Sequence, residues 1–108
     1  MESITPQEKM TTRRVTAKKR RGEPIVCLTA YDCTMARLLD TTGVDVVLVG
    51  DSVATVFYGH THTLGVGIDE MTMHVRAVAA GLQRSLLVAD MPFLSYQVSV
   101  EAAVSNAG

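Results

Sequence analysis

The chain has 108 residues, 47% of them hydrophobic, and a formal net charge of -1. That is enough apolar material for the core of one modest domain, and it excludes a compositionally disordered chain. The near balance of charge gives no general pull towards nucleic acid or anionic membrane, and no stretch approaches the roughly 18 apolar residues of a membrane helix.

Residues 1–10 read as a flexible N-terminus and 11–108 as one α/β domain. Met1-Glu2-Ser3-Ile4-Thr5-Pro6 lacks the apolar core of a signal peptide, so a reducing compartment, most simply the cytoplasm, is expected. A basic helix follows, opened by Thr11 or Thr12 as N-cap and closed by Gly22. It gathers Arg13, Arg14, Lys18, Lys19, Arg20 and Arg21, and reads as a solvated face whose last-turn cations suit the helix dipole. Residues 24–29 predict a first strand, with Cys27 in it. Asp32 is placed to cap a helix carrying Met35, Ala36, Leu38 and Leu39, which ends near Thr42-Gly43. Neither a CxxC nor a secreted framework is present, so Cys27 and Cys33 are expected as buried or half-buried thiols.

Residues 44–49 predict the second strand. A long connection runs from Gly50 to about Gly67, and loops of that length inside α/β units are usually functional. Its glycines at 59, 65 and 67 and its Phe57 and Tyr58 predict a mobile lid. A helix from Asp69 to about Gln83 places Met71, Val75, Val78 and Leu82 on one apolar stripe. Residues 85–89 predict the third strand, and Ser99 caps a last helix over Val100–Val104. The alternation implies a parallel sheet with right-handed crossovers, its Val- and Leu-rich strands buried on both faces.

The second and third strands each deliver an aspartate: Asp51, followed by Ser52, and Asp90, followed by Met91-Pro92. Functional groups in parallel α/β folds collect beyond the C-terminal ends of strands. Either acid alone could merely satisfy loop amides. Side by side they suit a hard cation such as Mg²⁺, which keeps waters or substrate oxygens in its octahedral shell. His60-Thr61-His62 offers two zinc ligands without a nearby third, and His74, on the helix, reads as packed or hydrogen-bonded. Gly59, Gly65 and Gly67 form no GxGxxG after a strand, so a dinucleotide fingerprint is absent.

Four runs occur in order: Gly22-Glu23-Pro24-Ile25-Val26, Leu28-Thr29-Ala30-Tyr31-Asp32, Gly43 through Ser52, and Val88-Ala89-Asp90-Met91-Pro92-Phe93. Asp69-Glu70-Met71, His74 and Ser95-Tyr96-Gln97 extend the set. Together they closely resemble the N-terminal part of the ketopantoate hydroxymethyltransferase family over roughly residues 10–108. Gly65 and Gly67 stand where that family commonly has Pro and Thr, and His60 replaces a frequent Tyr.

The resemblance implies the N-terminal part of a (β/α)₈ TIM barrel, about three β/α units, akin to the phosphoenolpyruvate/pyruvate barrels. It implies hydroxymethyl transfer from 5,10-methylenetetrahydrofolate to 3-methyl-2-oxobutanoate, giving 2-dehydropantoate on the route to pantothenate and coenzyme A. By it, Asp51 and Asp90 would ligate Mg²⁺, and Asp51, Ser52 and Asp90 would hold the keto acid. The family's lysine, glutamate ligand and general-base glutamate match nothing within residues 1–108, so no catalytic residue is assigned and the chain alone is expected to be inactive. A homo-oligomer, a decamer in that family, is implied as well. Two other readings remain open: a different Mg²⁺-dependent keto-acid or C–C bond enzyme of the same barrels, and a non-catalytic α/β association module.

Overall fold

The computed structural model describes residues 8–108. Among them the elements run α1 (Thr12–Arg20), β1 (Cys27–Thr29), α2 (Cys33–Thr41), β2 (Val46–Val49), α3 (Val53–Val56), a 3-10 turn (Thr63–Gly65), α4 (Ile68–Gly81), β3 (Leu86–Ala89) and α5 (Val100–Ala107). The strands make one parallel sheet in the order β1-β2-β3. Cys27 lies opposite Val46 and Thr29 opposite Leu48, while Val46 lies opposite Leu86 and Val49 opposite Ala89. Parallel neighbours that follow one another in sequence need a crossover, and the helical segments between the strands supply it.

Local chemistry starts and stops these elements. The Thr11 hydroxyl accepts from the Arg14 N–H at 3.2 Å, the Asp32 carboxylate from Met35 at 2.7 Å, and the Ser99 hydroxyl from Ala102 at 3.0 Å. At α4 the Glu70 carboxylate reaches back to the Gly67 N–H at 3.0 Å, half of a capping box, since glycine has no side chain to return the bond.

The core lies where β2 meets the helices. Val47 and Val49 pack with Ala36 of α2, Val53 and Ala54 of α3, and Met71 and Val78 of α4. Helices α2 and α4 approach through Gly81, where a Cβ would fall 2.5 Å from the Cys33 carbonyl oxygen and 2.9 Å from the Arg37 nitrogen. Two carboxylates tie the opposite end of the sheet from the strand tips. Asp45 accepts from Lys18 Nζ at 2.8 Å and from the Val26 N–H at 2.9 Å, with an Arg84 guanidinium nitrogen 3.7 Å away. Asp40 accepts from the N–H groups of Gln83, Arg84 and Ser85 at 3.0, 3.1 and 2.9 Å.

The structure departs from several expectations. Burial on both faces does not hold for β1, all three of whose residues are exposed, nor for Val88 and Ala89 of β3. Among the described residues β1 and β3 are edge strands, and only β2 has a strand on both sides. Cys27 is therefore exposed, while Cys33 is half-buried as expected. The connection from Gly50 is no structureless loop, because it opens with α3, whose Val53 and Ala54 are fully buried. The tail read over residues 1–10 lies, for residues 1–7, outside the described residues. Within it Met10 is buried, its N–H donating to the Arg84 carbonyl at 2.7 Å, so the domain begins before Thr11. The strands are shorter than the runs that signalled them, and α4 closes at Gly81 rather than near Gln83.

Candidate functional site

At the C-terminal end of the sheet the ladder continues past the strands. The Ala30 N–H donates to the Leu48 carbonyl at 3.2 Å and the Asp90 N–H to the Val49 carbonyl at 3.0 Å. The chain exits of β1, β2 and β3 are thus held side by side. Asp90 Oδ2 accepts from the Asp51 N–H at 3.1 Å, which brings the two expected acids together. Gly50 makes the approach possible: a Cβ there would lie 3.2 Å from Asp90 Oδ2 and 3.5 Å from Ser52 Oγ. Asp51, Asp90, Met91 and Tyr96 line a cleft of about 280 Å³. A second, more apolar hollow of about 450 Å³ lies between α4, the end of β3 and α5, and Asp90 lines it too.

Ser52 takes part in a network that joins two strand exits. Its Oγ is 2.6 Å from the Tyr31 hydroxyl, just beyond β1. The Tyr31 carbonyl accepts from His74 Nδ1 at 2.7 Å. A carbonyl only accepts, so Nδ1 carries a proton; in the neutral ring Nε2 then accepts from the Tyr58 hydroxyl at 2.8 Å. His74 is 7% exposed, with Phe57 meeting its ring edge-on at 4.8 Å. It has the hydrogen-bonded structural place expected of it.

These contacts narrow the lid expectation. Buried Val53 and Ala54, together with the bond from Tyr58 to His74, anchor the first half of the 50–67 connection. Motion of that half would break a buried contact. His60 and His62 do not pair as ligands: His62 Nδ1 accepts from the Leu64 N–H at 3.3 Å, and the His60 ring fills the space beside Gly65. A Cβ at position 65 would fall 2.4 Å from His60 Nδ1, so these two residues fit each other sterically. Among the described residues no cluster of three or more His, Cys, Asp or Glu side chains is placed to hold a metal.

A family model for ketopantoate hydroxymethyltransferase matches residues 9–108. The chain belongs to this family. Relatives carrying the name 3-methyl-2-oxobutanoate hydroxymethyltransferase include one from Chlorobaculum parvum, 55% identical over 103 residues, and one from Chlorobium phaeobacteroides, 56% identical over 103 residues. One from Caldicellulosiruptor bescii is 50% identical over 100 residues. The match covers 92% of this chain but 37% of the first two relatives, so the chain spans well under half the length of those hydroxymethyltransferases.

Asp51 and Asp90 offer only oxygen donors, beside an open cleft, as a hard divalent cation requires. Two carboxylates fill two positions of an octahedral shell and leave the others to water or ligand oxygens, so the pair fits Mg²⁺ as part of a site. Tyr31 and Asp45 had no functional or structural role assigned from sequence. A lone acid inside Val44-Asp45-Val46-Val47 was the available signal, because a buried carboxylate requires partners. Tyr31 carries no such signal, since its bond to Ser52 depends on how β1 and β2 pair.

Proposed function

We propose that this chain forms the N-terminal β/α units of a (β/α)₈ hydroxymethyltransferase that converts 3-methyl-2-oxobutanoate to 2-dehydropantoate with 5,10-methylenetetrahydrofolate, in pantothenate biosynthesis. The observation that carries the proposal is the meeting of Asp90 with the Asp51 backbone, 3.1 Å apart at adjacent strand exits, with Ser52 next in the chain. The family match gives that meeting its chemical meaning.

In this reading Asp51 and Asp90 hold Mg²⁺, and Ser52 donates to the carboxylate of the keto acid. When bound, the ion supplies Lewis acidity towards the keto acid and so acidifies the C–H beside its carbonyl. The chain's own residues bind and orient: the two carboxylates fix the polar end of the keto acid, and the Ser52 hydroxyl sets its rotation. Proton abstraction needs a base within about 2.6–3.2 Å of the carbon or one water away. Of the described acids, Asp32 and Glu70 are bound to helix N-termini. The family resemblance implies that the base is a glutamate outside residues 1–108.

Calorimetric titration of 3-methyl-2-oxobutanoate with and without Mg²⁺ tests the reading. Binding should depend on the ion, and Asp90→Ala should weaken it by about tenfold or more, as loss of a metal ligand does. Equal affinity in that variant removes Asp90 from the site.

A further inference from the structure

We propose that Tyr31 is a positioning residue: it donates its phenolic hydrogen to Ser52 Oγ and thereby turns the serine's own hydrogen outward, towards an anionic ligand at the strand tips. The inference rests on the reading of Ser52 as a contact for the keto acid, and adds the group that orients it.

The 2.6 Å separation between the two hydroxyls allows either to donate. A phenol is the stronger donor and an alkyl hydroxyl oxygen the better acceptor, so Tyr31 donates and Ser52 accepts. The serine hydrogen is then free, and accepting a bond polarises its O–H and strengthens it as a donor. A carboxylate is the partner that profits most, because bonds to charged groups are about twice as strong as neutral ones.

Tyr31 is fixed at both ends. Its carbonyl accepts from His74, which is 7% exposed and whose other ring nitrogen is bonded to the Tyr58 hydroxyl. The Ala30 N–H pairs with the Leu48 carbonyl at 3.2 Å, which locks the backbone just before it. Since Ser52 follows β2 and Tyr31 follows β1, the hydroxyl pair also ties two strand exits together.

The test is a double-mutant cycle read as 3-methyl-2-oxobutanoate affinity at saturating Mg²⁺, with Mg²⁺ affinity measured beside it. Tyr31→Phe should weaken keto-acid binding about three- to tenfold, the range of one hydrogen bond in a chain to a charged group. Mg²⁺ affinity should stay within about twofold, whereas a disturbed sheet end would move both. The double variant with Ser52→Ala should bind no more weakly than Ser52→Ala alone. Unchanged affinity in Tyr31→Phe, additive losses, or a parallel loss of Mg²⁺ affinity overturns the positioning role and leaves the proposed function standing. A parent chain that binds no keto acid overturns both.

A second measurement needs no change at Tyr31. The ring carbon bearing its hydroxyl should shift in the NMR spectrum when keto acid is added, and Ser52→Ala should abolish the shift. A resonance that does not move overturns the proposal even where Tyr31→Phe fails to fold.

Discussion

Asp45 shows how a single side chain organises an end of this fold. Burial alone pushes its carboxyl up, but the bond from Lys18, the Val26 amide and the charges of Lys18 and Arg84 outweigh it and hold it below the ordinary aspartate range. At Asp40 burial is again the largest influence, and it is outweighed by the amides of Ser85, Gln83 and Arg84. A carboxyl depressed in the folded state is protonated first in the unfolded state. Its stabilisation is therefore complete above the unfolded pKa of about 3.9 and is lost as pH falls through the lower folded value. The thermal midpoint should hold steady down to about pH 5 and drop below about pH 4. Asp45→Asn should flatten that acid limb, and at neutral pH should destabilise by about 2 kcal/mol. That is less than the roughly 3–5 kcal/mol of a fully buried broken pair, because Lys18 and Arg84 keep some access to water. An acid limb identical in the variant and the parent would contradict the role given to Asp45.

At the scale of elements, the contact of α2 with α4 decides how closely the helices cover β2. Gly81 ends α4 with its backbone against the Cys33 carbonyl and Ala36. Alanine is favoured over glycine in a helix by about 1 kcal/mol, whereas overpacking a close contact costs about 1–3 kcal/mol. With backbone oxygen 2.5 Å from the added Cβ the clash wins, because two helices must separate to relieve it. Gly81→Ala should lower stability by about 1–2 kcal/mol in urea titration, and a stabilised variant would contradict the packing described. Element order was legible in the sequence because caps and periodicity are local: Thr11, Asp32 and Ser99 each accept the amide that a cap should. Element α3 was not legible. Four residues give too short a period to read, and what holds Val53 and Ala54 in place is burial against residues distant in sequence.

For the molecule as a whole, the parallel sheet followed from alternating apolar runs and helices, while the exposure of β1 and the end of β3 did not. A Val- and Leu-rich run reports what a strand is suited to bury, not whether a neighbouring layer lies within the same 108 residues. Ile25, Val26 and Leu28 near β1, and Val98, Val100 and Val104 around α5, remain exposed as apolar surface. The site was half legible on the same grounds. Asp51 and Asp90 follow from strand ends, with Gly50 beside them, but Tyr31 and the His74 contacts depend on register and crossover. The central claim is that the two aspartates form one divalent-cation site at the strand exits. Mn²⁺ takes the same oxygen ligands as Mg²⁺ and, being paramagnetic, broadens the NMR signals of nearby residues. Titrated into the chain, it should broaden Asp51, Ser52 and Asp90 first, and excess Mg²⁺ should restore those signals. Broadening centred on His60 and His62, or on the acids at the far end of the sheet, with Asp51 and Asp90 unaffected, would contradict the account.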